Sequence, residues 1–99
     1  MKFTYVIDGS EINDKDSFYD EFYMNMTDDL EFEPAHNLSA FTDVLRGGFG
    51  MHEYGDAISI LWENFAHSRR ALGDEFTLKV LTIMLRENDE YSCILKIEE

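Results

Sequence analysis

Two hydrophobic periods alternate along the chain. Phe3-Thr-Tyr-Val-Ile7 is a short aromatic and β-branched run closed by the turn chemistry of Asp8-Gly9, which predicts a strand. Phe18, Phe22 and Met26 then recur four apart with Tyr19 and Tyr23 beside them, one face of a helix, and Asp16, Asp20 and Glu21 lie off that stripe. Asn13 or Asp14 can cap this helix by accepting backbone N–H bonds. Leu38, Phe41, Val44 and Leu45 follow at helical spacing behind a second capping residue, Asn37. Gly47 and Gly48 can stop that helix, so a short one is predicted over residues 38–46.

Four glycines and little periodicity make Gly47 to Asp56 a loop. Ala57-Ile-Ser-Ile-Leu-Trp62 reads as a buried strand, and Glu63 to Leu72 as a short helix carrying Phe65. Asp74 is placed to cap a last helix on which Leu78, Leu81 and Leu85 join Val80, Ile83 and Met84 in a wide apolar surface. Ser92 to Ile97 is the final strand. Strands joined by helices run parallel, so the order β, α, α, β, short α, α, β predicts an α/β fold. It should be a single domain over residues 1–99, a three-stranded parallel sheet packed with three to four helices. The last helix is expected to lie across the sheet, which would use its broad apolar circumference.

Composition narrows the function. Twenty-one acidic residues against eight basic ones give a net charge of -13. A field of that sign repels phosphates and anionic lipid and attracts basic proteins, so neither nucleic acid nor membrane is expected as a direct partner. The opening residues do not resemble a signal peptide and no apolar run approaches a membrane span, so a cytoplasmic location is expected, with a free chain that is monomeric. The one cysteine, Cys93, cannot form an internal disulfide, and its strand surroundings favour a buried structural thiol.

Catalytic chemistry finds little support. His36, His52 and His67 show no metal-ligand spacing with one another. His36 lies three residues from Glu33 and His52 beside Glu53, but no pattern brings such groups together, and surface histidines are expected. No serine sits in a nucleophile elbow. No enzyme activity, metal or other cofactor is therefore expected. Outside the core stripe of the second helix remain Ser39, Thr42, Asp43 and Arg46, with Ser39 and Asp43 four apart on one outward face. A carboxylate on a rigid helix is suited to a cationic pocket on another protein.

Asn37-Leu-Ser-Ala-Phe-Thr-Asp43 resembles the second-helix motif of the barstar family, intracellular inhibitors of small secreted ribonucleases. Val6-Ile-Asp-Gly9 with Glu11-Ile12 resembles the family's first strand and turn, Ile60-Leu-Trp-Glu-Asn-Phe65 its central strand, and Leu85-Arg-Glu87 with Cys93-Ile-Leu95 its last helix and strand. The resemblance implies the same parallel sheet, and a second helix that plugs a nuclease active site. It implies that Asp43 enters where the substrate phosphate would sit, that Glu87 makes an outer ionic contact, and that Asn37 opens the motif. The pattern departs at Ser39, where the family type has a second aspartate, and at Thr42, where it has tryptophan. Glu33, Pro34 and Ala35 replace the tyrosines and glycine before the asparagine, and Arg46 adds a positive charge. These departures point to a basic toxin nuclease other than the familiar target, with Asp28, Asp29, Glu31 and Glu33 supplying charge lost at Ser39. The alternative is an acidic regulator of a basic partner that is not a nuclease, acting by nucleic-acid mimicry. Mimicry needs an extended stripe of carboxylates, whereas plugging needs a compact knob around Asp43.

Overall fold

The computed structural model describes residues 3–27, 33–86 and 91–99. Strand β1 (Phe3–Asp8) is followed by a 3-10 turn (Gly9–Glu11), helix α1 (Lys15–Met26), helix α2 (Leu38–Arg46), strand β2 (Ala57–Glu63), helices α3 (Phe65–Leu72) and α4 (Asp74–Leu85), and strand β3 (Ser92–Ile97). The strands form one parallel sheet in the order β1-β2-β3. This is the α/β architecture that the alternation of periods predicts.

Register explains where the core lies. Tyr5 pairs with Ile60 and Ile7 with Trp62, and across β2 these continue to Leu95 and Ile97. Side chains two apart on a strand share a face. Tyr5, Ile7, Ile58, Ile60 and Trp62 are accordingly all buried, while Val6 and Ile94 on the opposite face stay exposed. The helices supply an aromatic layer against the covered face. The Phe22 ring lies 5.2 Å from Trp62 and 5.2 Å from Phe41, and Phe18 bridges to Phe41 at 5.4 Å. Trp62, the chain's single tryptophan, sits at the centre. Its indole N–H donates to Ser68 Oγ at 3.1 Å, and that hydroxyl donates onward to the Phe65 carbonyl. A polar atom in so apolar a place must be partnered, and here it is.

Local chemistry fixes the ends of α1. Of the two candidate caps it is Asp14 that serves, accepting the Ser17 N–H at 2.8 Å, while Ser17 Oγ accepts the Asp14 N–H in return. Three expectations are corrected. Asp74 does not cap α4: it is the first helical residue behind Gly73 (φ +86), and its charge acts on the helix N-terminus instead. The α3 helix starts at Phe65, not Glu63. Asn64 turns the chain in the left-handed region (φ 51°, ψ 40°), and its side chain donates to Asp8 Oδ1 at 3.0 Å. The apolar circumference of α4 is only partly used. Thr77, Val80 and Met84 face the core, whereas Leu78 and Leu85 are 65% and 56% exposed, because α4 packs against β3 and the neighbouring helices along one side only.

Candidate partner-binding face

Helix α2 is held at both ends. Asn37, in extended backbone, accepts the Ala40 N–H through its side-chain oxygen at 2.8 Å. Gly47 closes the other end with φ +108°, its N–H shared between the carbonyls of Asp43 and Val44. The loop then folds back. Gly48 N–H donates to the His52 carbonyl at 2.7 Å, and the His52 ring lies within the protein. A carbonyl can only accept, so His52 Nε2 donates to Leu45 O at 3.0 Å, and Nδ1 accepts the Tyr5 hydroxyl proton at 2.7 Å. The expectation of three surface histidines is thus corrected. His52 is a buried clamp between β1, the loop and the last turn of α2.

Phe41, Val44 and Leu45 bury one side of α2 and set what its other side presents. Ser39 is exposed, and Thr42 is half-buried with its hydroxyl donated back to the Leu38 carbonyl at 2.8 Å. The Asp43 side chain is 50% exposed and pairs with the Arg46 guanidinium one turn on. Arg46 therefore leans on the carboxylate and does not stand as a separate positive knob.

The segment before α2 extends the acidic surface. Pro34 is buried, and Tyr23 from α1 donates its phenol proton to the Ala35 carbonyl at 2.8 Å. Burial, then the neighbouring Tyr19 phenol and the charges of Glu33 and Asp43, drive the Tyr23 phenol far above its ordinary pKa. Glu33 and Asp43, on different segments, thus both bear electrostatically on one hydroxyl. His36 joins them, with Glu33 Oε1 and Asp16 Oδ1 each 2.9 Å from its ring nitrogens and Asp20 Oδ1 at 3.4 Å. The fold brings together what the sequence left apart, since Asp16 lies twenty positions from His36. Asp20, Glu33 and His36 are close enough to share one ion. With both ring nitrogens hydrogen-bonded to carboxylates, however, the geometry is that of an ion-paired histidine, and no metal is assigned.

Of the residues singled out for binding, the structure gathers Glu33, Asn37, Ser39, Thr42, Asp43 and Arg46 on and just before α2. Glu87 lies outside the described residues, as do Asp28, Asp29 and Glu31. No helix among the described residues is long and apolar enough to cross a membrane.

Helices packed on a three-stranded parallel sheet, with the short helix α2 fixed at both ends and its polar side turned outward, define a small α/β protein. Comparison with protein families matches residues 2–94 of the 99 to Barstar (barnase inhibitor). The chain belongs to the barstar family, whose members are ribonuclease inhibitors and not enzymes. No curated protein matches it.

Proposed function

We propose that the chain inhibits a basic toxin nuclease, a ribonuclease, by seating α2 and the segment before it in the enzyme's cationic active site. The observation that carries this reading is Asp43: a half-exposed carboxylate on a helix fixed at both ends, with the segment leading into that helix carrying Glu33 in a cluster with Asp16 and Asp20 around His36. A nuclease gathers arginine, lysine and histidine around the phosphate it attacks, and a carboxylate held in place can answer them with little side-chain order to lose. Asp43 supplies the charge that replaces phosphate, and Ser39 and Thr42 line the face around it. Asn37 holds the helix start, and Glu33 and Glu87 make outer ionic contacts. Asp43 exchanges its internal partner Arg46 for a guanidinium of the enzyme.

The convergence of Asp16, Asp20 and Glu33 on His36, just ahead of α2, favours a plug over nucleic-acid mimicry, which calls for a long stripe of regularly spaced charge. Such a protein acts where the nuclease would damage its maker, which is the cytoplasm. The test is inhibition of a basic ribonuclease from the source cell or a competitor, with Asp43→Ala alongside. Truncating a carboxylate bonded to desolvated cations costs about 2–5 kcal/mol, roughly 30-fold to several thousand-fold in affinity. An affinity within threefold of the parent would sink the insertion.

A further inference from the structure

The segment entering α2 is tied to α1 by two side chains of different chemistry. Tyr23 holds the Ala35 carbonyl through a phenol that burial keeps protonated, so that tie does not change over the ordinary pH range. His36 forms the other. Its Nδ1 lies 2.9 Å from Asp16 Oδ1, and its Nε2 lies 2.9 Å from Glu33 Oε1 and 3.4 Å from Asp20 Oδ1. The ring stacks on Tyr19 at 5.2 Å with planes 21° apart and has Tyr23 at 6.1 Å on a tilt.

An ionised carboxylate only accepts hydrogen bonds, so carboxylates at both ring nitrogens require two N–H donors, which is the imidazolium form. Among the described residues the groups facing the ring are Asp16, Tyr19, Asp20 and Tyr23 from α1 and Glu33 from the segment itself, and every charged one is negative. Take the proton away and one nitrogen turns a lone pair toward a carboxylate. Three converging carboxylates also lose the cation between them.

We propose that His36 is a positioning residue whose imidazolium straps residues 33–36 to α1, and that losing its proton releases the strap and frees the Glu33 carboxylate. Acidity then decides how rigidly the approach to α2 is held. The strap follows from the contacts of the free chain and stands apart from the nuclease reading; only its effect on a partner would rest on that reading. The hydrogen bonds to Asp16 and Glu33 raise the His36 pKa above the ordinary histidine value. A raised folded value contributes stability that is complete below the unfolded pKa of about 6.5 and is lost as pH rises through the folded one.

The experiment is an NMR titration of the whole chain, following the His36 ring and the backbone amides of Ala35, His36 and Asn37, with their hydrogen exchange corrected for intrinsic rate. The ring midpoint is expected above the ordinary histidine value. The three amides should shift with that midpoint and lose protection beyond it. Asp16→Asn and Glu33→Gln should each lower the midpoint. His36→Arg keeps a positive charge at every pH and should leave the shifts and protection of the Ala35 and Asn37 amides flat. Two results overturn the strap: a parent midpoint at or below the ordinary value, or segment amides with unchanged shift and protection on both sides of it. No partner enters the measurement, so its failure leaves the inhibitor reading standing, and failure of the Asp43 test leaves the strap standing.

Discussion

A carboxylate and a guanidinium three residues apart on a helix surface share little free energy, about 0–1 kcal/mol for an exposed pair. The Asp43–Arg46 contact is of that kind, with Asp43 half exposed and Arg46 about a third exposed. A desolvated ion pair offered by a partner outweighs it several-fold, so the internal contact orients Asp43 without locking it away. Polar side chains in the interior tell a different story. Glu21 is only 6% exposed, and its carboxylate accepts the Asp8 backbone N–H at 2.9 Å and the Asn25 amide at 3.0 Å, joining α1 to the end of β1. The helical stripe put Glu21 outside, and His52 sat in a loop with no pattern at all. Their partners, Asp8 and Tyr5, lie 13 and 47 positions away, and no local period encodes a contact of that range. Thr77 is the converse case. It is buried and its hydroxyl has no partner among the described residues. Replacing a buried unsatisfied hydroxyl by a methyl of the same shape is neutral or favourable. Thr77→Val should therefore leave stability unchanged or raise it by about 1 kcal/mol in urea unfolding, and a loss of 1 kcal/mol or more would contradict the assignment.

Elements were the most legible level, because capping and periodicity act over a turn or two. The second helix could be placed from Asn37, its apolar spacing and Gly47, and the structure gives Leu38–Arg46. Asn37→Ala removes the acceptor for the Ala40 N–H and should cost about 1 kcal/mol of stability. It should also weaken partner binding, since a frayed first turn must be reordered. The glycines of the following loop and of the α3–α4 junction separate two effects that sequence cannot distinguish. Both Gly47 and Gly73 have positive φ, but a Cβ on Gly47 would meet the Glu53 backbone at 2.7 Å, while one on Gly73 would meet nothing within 4 Å. Gly73→Ala should cost about 1 kcal/mol from backbone strain alone. Gly47→Ala should cost clearly more, since a backbone neighbour must also shift, and equal midpoints for the two variants would refute this. The α4 helix was the least legible. Its apolar count promised a broad buried surface, but how much a helix buries depends on how many neighbours surround it, and α4 has them on one side only.

At the scale of the molecule, charge and topology act separately. The -13 net charge says nothing about strand order, which the hydrophobic periods and connections set. Charge governs encounter. Association with a basic nuclease should slow by about tenfold or more between roughly 0.05 and 0.5 M salt, while dissociation changes little, because screening removes long-range steering and leaves close contacts nearly intact. Stopped-flow rates at several ionic strengths check it, and a salt-independent association rate would deny a role to the acidic field. The candidate site was half legible. Asn37, Ser39 and Asp43 share a helix and could be read together, but the histidine and carboxylates that surround Glu33 assemble only when α1 and the pre-α2 segment meet.

The position of Trp62 has a practical outcome. The chain's sole indole is sealed between the sheet and the aromatic layer, away from the surface of α2. Its fluorescence is therefore a gauge of the interior, one that denaturant changes. Loss of fold in any variant can thus be followed with no added label and set against a separate measurement of binding.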